Sequence, residues 1–166
     1  SDTELIFSTT LTGTQTTIST GTLLTGYRNL VIKGQARSDD NAVARSVLVA
    51  FNGDTTDANY EYVRDFSTQS KTDFQSNVEK RIIGVATAAT AAANTFGVFT
   101  LTIYSHESTN NLKSYNSVSG FVHTTSLQTN RVTGKRLSTD PITSVAFSLT
   151  NGDFVAGTSV AVYGLK

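Results

Sequence analysis

The 166-residue chain contains no cysteine, no methionine, no tryptophan and a single proline. Without cysteine, no disulfide can hold the fold together, no thiolate can bind a metal and no cysteine can act as a nucleophile. No apolar run approaches the roughly 20 residues of a membrane-spanning helix, and the N-terminal residues lack the pattern of a signal peptide. We therefore expect stability to come from buried apolar surface, sheet hydrogen bonds and self-association.

Charge is scarce as well. Thirteen Lys and Arg residues balance thirteen Asp and Glu residues, and charged residues make up 16% of the chain, against about a quarter in an average protein. The basic pairs Lys80-Arg81 and Lys135-Arg136 are isolated from each other, whereas nucleic acids and anionic membranes select continuous basic surfaces. The composition thus predicts a protein that binds neither nucleic acid nor membrane.

Threonine and serine supply most of the polar side chains, with 28 Thr and 18 Ser. Threonine is β-branched and favours strands, so it can cover the outer face of a sheet without adding charge. A surface of this kind associates readily. It suits a protein that is buried against copies of itself or within a larger assembly.

Alternation of apolar and polar residues predicts strands along most of the chain. The clearest strand spans residues 96–105, with Phe99, Leu101 and Ile103 on one face. About nine to eleven strands are separated by turn residues and are not interleaved with helices. This pattern predicts an all-β fold, an antiparallel β-sandwich of the jelly-roll kind that forms one domain over residues 1–166.

Three segments leave their local structure open. Residues 1–25 fit an edge hairpin or an extended arm, because scattered leucines and isoleucines interrupt a Thr-rich sequence. In residues 67–80, Phe74 and Val78 have helical i,i+4 spacing, which allows a short helix or an ordered loop. The Ala-rich residues 86–94 fit a short helix or an interface loop whose small side chains permit close packing.

Glycines within and between the strands predict further local features. Asn52-Gly53-Asp54 follows a strand at residues 45–52 and is typical of a turn with positive φ. Gly120 predicts a β-bulge and Gly134 a bend in their strands. The turn at Asn52 leads to a second strand, which begins near Tyr60.

Asn52, Asp54, Asp57 and Asn59 place four oxygen-bearing side chains within eight residues, chemistry that suits Ca²⁺. Their spacing does not match an EF-hand, and turns select Asn and Asp for conformational reasons. We therefore predict no metal and no cofactor, with Asp54 and Asp57 as the candidates if a cation is bound.

Catalytic chemistry has few candidate residues. The only histidines are His106 and His123, and no Gly-x-Ser-x-Gly motif surrounds any serine. Nothing sets two carboxylates apart as a glycosidase pair. We predict surface or interface histidines, no catalytic residues and no enzyme activity. Tyr60 and Tyr62 could stack against sugar rings, although cross-strand packing explains them as well.

Several motifs together resemble a domain of tailed-bacteriophage virion proteins found in head decoration proteins, head fibres and tail fibres. The similarity extends over nearly the whole chain, and the motifs are Arg37-Ser38, residues 47–54, Asn59-Tyr60, residues 92–97, residues 142–145, residues 151–157 and the C-terminal residues 162–166 (VYGLK). The resemblance implies a β-sandwich, frequently a trimer, and supplies no catalytic residues.

From this resemblance we expect a virion protein assembled in the host bacterial cytoplasm. The short, linker-free chain favours a capsid decoration (cement) protein, a homotrimer that binds the major capsid protein. The alternative is a receptor-binding or tail-fibre tip module that recognises host surface glycan through Tyr60 and Tyr62. The candidate contact residues in the Thr-rich and Ala-rich segments are Thr16, Thr17, Ile18, Ala89, Ala91 and Ala92.

Overall fold

Two antiparallel sheets pack face to face in the computed structural model, which describes residues 2–23, 25–76 and 81–166. A short 3-10 helix, Asp57–Asn59, precedes the fifth strand. The strands are β1 (Thr3–Thr10), β2 (Ile18–Ser19), β3 (Asn29–Ala36), β4 (Ala44–Phe51), β5 (Tyr60–Thr68), β6 (Thr72–Ser76), β7 (Ile82–Thr87), β8 (Gly97–Tyr104), β9 (Lys113–His123), β10 (Ser126–Arg136), β11 (Val145–Leu149) and β12 (Ser159–Leu165). No helix in the described part of the chain is long and apolar enough to cross a membrane.

The larger sheet has eight strands in the order β1-β12-β3-β8-β9-β10-β5-β6, and the smaller has four in the order β2-β11-β4-β7. Many neighbouring strands are far apart in sequence, because the chain crosses repeatedly from one sheet to the other. Crossing connections of this type are a feature of jelly rolls. The predicted all-β antiparallel sandwich is confirmed.

The core lies between the sheets and follows the period of two that the sequence shows. Phe99, Leu101 and Ile103 of β8 are buried. Phe99 packs against Phe147 of β11 in the smaller sheet, with ring centroids 5.8 Å apart. Because burial of one such side chain is worth about 1.5–3 kcal/mol, these alternating positions hold the two sheets together.

The N-terminal segment connects the two sheets. Strand β1 pairs with β12 at the edge of the eight-stranded sheet, whereas β2 pairs with β11 in the smaller sheet. Between them, Leu11 is buried and its amide donates to the Thr158 carbonyl at 2.8 Å. The segment is therefore integrated into the fold and forms neither a separate hairpin nor a free arm.

Residues 67–76 form a hairpin, so the prediction of a short helix or ordered loop there is wrong. Strand β5 continues to Thr68, whose amide donates to the Lys71 carbonyl at 2.8 Å, and β6 returns along it. Phe74, which the helical spacing paired with Val78, is 72% exposed on β6. Val78 and Lys80 lie outside the described residues. Threonines that favour strands outweigh a single i,i+4 pair. With this hairpin the described part of the chain has twelve strands, one more than the upper end of the predicted number.

Gly120 and Gly134 lie in ladders whose pairing register is continuous, so the predicted bulge and bend are wrong. Glycine is needed there for space. A Cβ at Gly134 would lie 2.4 Å from the ring of buried Tyr115, and one at Gly120 would lie 2.7 Å from the Gln128 carbonyl oxygen. Both glycines therefore allow close cross-strand packing.

We expect Gly134→Ala to lower the free energy of unfolding by about 2 kcal/mol, because the Tyr115 ring must move within a packed core. Gly13→Ala is the matched control, since a Cβ at Gly13 meets nothing within 4 Å. Urea unfolding followed by tyrosine fluorescence measures both changes. Equal effects for the two substitutions would contradict the packing explanation.

Candidate interaction surfaces

The turn after β4 joins the two sheets through a buried tyrosine. Asn52 and Gly53 have φ of 54° and 73°, as the Asn-Gly sequence predicts. The Tyr60 hydroxyl donates to the Asp54 carbonyl at 2.8 Å and accepts from the Phe51 amide at 3.0 Å. Asn52 Oδ1 accepts from the Thr143 amide at 2.7 Å. These bonds make the turn a structural corner that also anchors the segment preceding β11.

The predicted glycan platform at Tyr60 and Tyr62 is wrong, because both rings are inside the sandwich. Tyr60 is completely buried and Tyr62 is 3% exposed. The Tyr60 ring lies 5.9 Å from the Phe51 ring, centroid to centroid. Strand β5 begins at Tyr60, so its alternate positions face the core. Neither ring presents a face to a ligand in solvent.

Asp54 and Asp57 are each engaged by protein groups and do not converge on a shared site. Asp54 accepts from the Thr56 amide at 3.0 Å and from Asn59 Nδ2 at 2.9 Å, and Arg136 lies 3.4 Å away. Burial alone would raise the pKa of Asp54, but the Asn59 and Thr56 hydrogen bonds and the Arg136 charge together lower it. Asp57 instead pairs with Arg81 at 2.8 Å.

These contacts explain the Asn and Asp residues as turn and ion-pair chemistry. Among the described residues, no three His, Asp or Glu side chains are grouped so that they could hold a metal ion.

The two histidines differ in environment. His106 is 1% exposed, so the prediction of a surface or interface histidine is wrong for this residue. Burial lowers the pKa of His106 below its ordinary value of 6.5, and Glu107 and a hydrogen bond with the Arg28 backbone offset this only in part. His123 lies at the end of β9, where its Nδ1 accepts from the Ala92 amide at 3.1 Å.

We expect the free energy of unfolding to fall by up to about 1 kcal/mol between pH 7 and pH 5.5 because of His106. The unfolded chain binds a proton below pH 6.5, while the buried imidazole stays neutral until a lower pH, so the unfolded state gains relative stability as pH falls. Urea titrations at both pH values measure the loss. His106→Asn should remove it and His123→Asn should retain it; the reverse result would contradict the assignment.

The two segments predicted to make contacts meet at one end of the sandwich. The Gln15 amide donates to the Phe154 carbonyl at 2.9 Å, and the Asp39 amide donates to the Asp153 carbonyl at 3.1 Å. The Ala89 amide then donates to the Asp40 carbonyl at 3.0 Å. We call residues 14–17, 38–40, 88–95 and 151–154 the rim. The rim is one continuous hydrogen-bonded structure.

Within the rim, the Ala-rich segment is a loop that follows β7, not a helix. Arg37 holds it in place, because its guanidinium donates to the Ala92 carbonyl at 2.8 Å and to the Thr95 carbonyl at 2.9 Å. The single half-buried guanidinium of Arg37 thus orders a loop whose own side chains are too small to do so.

Four of the six predicted contact residues are accessible at the rim: Thr16, Thr17 and Ala89 are exposed and Ala92 is half-buried. The prediction is wrong for the other two. Ile18 is 2% exposed because β2 directs it into the core, and Ala91, within the loop, is 7% exposed.

A second surface, which the sequence did not single out, is the outer face of the eight-stranded sheet. Of the eleven large apolar side chains that are exposed in the described part of the chain, eight lie on strands of this sheet. They are Leu5, Val63, Phe74, Val98, Tyr104, Val118, Val122 and Leu127. The sequence signal for this exposed face was the set of valines at the outward positions of β8 and β9, since the residues at the inward positions of these strands fill the core.

Charges on this face are mostly neutralised within it. Arg131 pairs with Asp65 at 3.0 Å, and Lys135 pairs with Glu61 at 2.9 Å. The face is therefore apolar, hydroxyl-rich and nearly neutral, which suits contact with another protein surface better than binding of a charged ligand.

Comparison with protein-family models, curated proteins and solved structures yields no match to this chain.

Proposed function

We propose that this protein is a structural component of a bacteriophage virion, a capsid decoration protein that binds the major capsid protein on the outer surface of the head. The assignment to a virion comes from the sequence resemblance. The observation that carries a contact role is the rim, an ordered edge of the sandwich on which Thr16, Thr17 and Ala89 present exposed small side chains.

The rim is the proposed site of capsid contact. Thr16, Thr17 and Ala89 are exposed there, in a rim that also carries the carboxylates of Asp39, Asp40 and Asp153. The loop is ordered by Arg37 and by backbone hydrogen bonds, so little conformational entropy is lost when it is covered. Small side chains also let the backbone approach a partner closely.

A decoration protein strengthens a shell through binding alone. A ligand that binds only the assembled state stabilises that state in proportion to RT ln(1 + [L]/Kd). This role requires contact area, and it requires no catalytic group, cofactor or metal. The engagement of Asp54 and Asp57 by their own neighbours is consistent with such a role.

Copy number per particle is the decisive measurement. Quantitative mass spectrometry of purified particles is expected to find hundreds of copies of this chain per virion. A few copies per particle would overturn the proposal and favour the receptor-binding or tail-fibre alternative.

The rim can be tested separately by rebinding to particles stripped of this protein. Ala89→Asp should weaken rebinding by at least about tenfold, because a carboxylate would be desolvated in the contact. Thr109→Asp is the matched control, since Thr109 is exposed in the loop beyond the opposite end of β8. Equal loss in both variants would place the contact elsewhere.

A further inference from the structure

We propose that a second copy of this chain covers the outer face of the eight-stranded sheet. The two copies pack face to face about a two-fold axis that runs parallel to the strands, between β9 and β10. This pairing goes beyond the decoration role and stands whether or not the protein is found on a phage head.

The first argument is the apolar surface near this axis. Val118 and Val122 of β9 are 58% and 61% exposed, and Leu127, the cross-strand partner of Val122, is 44% exposed. Val118 lies mid-strand and Val122 and Leu127 lie beside the β9–β10 hairpin, and exposed apolar side chains of this kind are what a protein interface covers. Covering it removes apolar surface from water in both copies at once.

The available area is also sufficient. The proposed contact uses the six adjacent strands β3-β8-β9-β10-β5-β6. Six strands about 4.8 Å apart, each about eight residues long at 3.3 Å per residue, cover roughly 750 Å². A standard interface buries about 800 Å² on each partner, so the face has the size that a stable pair requires.

The strand register gives the third argument, because it determines which residues would face each other. One row across the outer face is Lys33, Thr100, Val118, Arg131, Asp65 and Phe74. The two-fold axis reverses this row in the second copy. Val118 then faces the aliphatic stem of the partner's Arg131, and Lys33 faces the partner's Phe74, beside the partner's Asp65.

This register leaves no cation buried alone. Among the described residues, Lys33 has no carboxylate within ion-pair distance, whereas Arg131 and Lys135 each have one. In the pair, Lys33 would lie over an aromatic ring and next to a carboxylate, both of which attract an ammonium group. The face is therefore complementary to itself in charge as well as in polarity.

Self-complementarity distinguishes a pair from the homotrimer that the resemblance implies. A cyclic trimer joins two different surfaces at each contact, whereas a two-fold contact uses the same surface on both copies. Here both halves of the contact lie on one face of one sheet. The geometry favours a pair.

Sedimentation velocity on the purified protein tests the pairing. We expect a mass of about 35 kDa, twice the 17.7 kDa of one chain, at micromolar concentration. Val118→Lys should weaken the dimer Kd by at least about 100-fold, because each contact would bury two lysines against Arg131. Val43→Lys, at an exposed valine in a loop away from this face, should leave Kd unchanged.

Circular dichroism verifies that each variant is folded. If Val118→Lys does not fold, Val122→Lys replaces it as the test variant. A monomer at all concentrations up to about 100 μM, a trimer, or a dimer that resists a folded lysine variant would overturn the proposal.

Cross-linking tests the register, since the chain has no cysteine of its own. Gln35 and Thr72 share the next row and lie five strand spacings apart, about 24 Å, within one chain. The axis would place Gln35 of one copy opposite the partner's Thr72. A mixture of Gln35→Cys and Thr72→Cys chains should form cross-linked pairs with a short bis-maleimide, and neither variant alone should do so. Equal cross-linking of a single variant would contradict this register.

Discussion

Replacing Tyr60 with alanine is expected to lower the free energy of unfolding by about 4 kcal/mol, among the largest effects of any single substitution in this chain. The ring is completely buried and packs against Phe51, which in turn contacts the Tyr115 ring at 5.5 Å. Its removal leaves a cavity where the two sheets join. Urea unfolding monitored by circular dichroism measures the loss.

Tyr60→Phe separates the hydroxyl from the ring. It should cost about 2 kcal/mol, because the Phe51 amide and the Asp54 carbonyl lose a shared partner in a buried site. Tyr104→Phe is the control, since Tyr104 is 38% exposed on the outer face and should change stability by less than about 0.5 kcal/mol. Similar effects at both positions would contradict the role assigned to the Tyr60 hydroxyl.

The burial of Tyr60 also bears on the alternative that this protein binds a glycan. Loss of sugar binding in Tyr60→Ala would report a damaged corner and not a lost stacking contact, because the ring does not reach solvent. A glycan site would have to use outward-facing groups, of which Tyr104 is the exposed tyrosine on the large sheet. Substitutions that test glycan binding should therefore be made at outward-facing residues and not at Tyr60.

The sandwich was predictable because several of its strands alternate in polarity along their length. In β8 and β11 every second side chain is apolar, and those side chains are the ones buried. The prediction of a helix or loop failed in residues 67–76, where most residues are polar and Phe74 happened to have helical spacing to Val78 in the sequence. Single pairs carry little information when no continuous pattern supports them.

Gly120 and Gly134 show a different limit. A glycine within a strand signals either irregular backbone or close approach by a neighbour, and one sequence does not distinguish the two. At Gly134 the cause is the Tyr115 ring, which lies one strand away. Contacts between strands depend on register, and register is set by the assembled sheet.

The same limit applied to the candidate sites. The turn residues Asn52, Gly53 and Asp54 were located correctly, but their side-chain partners at Thr143 and Asn59 come from other elements. The exposed sheet face was missed because its valines lie on strands that also supply the core. Exposure became visible only once the two faces of each strand were known.

The motifs behind the phage resemblance lie largely at structural positions. Arg37 orders the Ala-rich loop, and the Ser38 hydroxyl donates to the Asn151 carbonyl at 3.0 Å. A Cβ at Gly152 would lie 2.5 Å from the Ser38 hydroxyl oxygen. Residues of this kind preserve corners of a sandwich. They account for the fold of this chain and say nothing of a partner, so the proposed virion role depends on the surfaces.

Lys113 provides the second large expected effect. Its side chain is completely buried, and its ammonium donates to the carbonyls of Ser108, Asn111 and Thr139, the last two at 2.7 and 2.9 Å. Lys113→Met keeps a similar aliphatic length but removes all three donors. We expect a loss of about 3 kcal/mol, because hydrogen bonds from charged groups are the strongest and the carbonyls would remain desolvated.

Burial also lowers the pKa of Lys113, so desolvation of the ammonium opposes the gain from its three acceptors, and the sign of the net effect is informative. Lys135→Met is the control, since Lys135 is 45% exposed beside Glu61 and a surface pair contributes less than about 1 kcal/mol. Urea unfolding measures both variants. If Lys113→Met were as stable as the wild type, desolvation would cancel the hydrogen bonds, and the packing of the two loops, not the ammonium, would hold this end of the sandwich together.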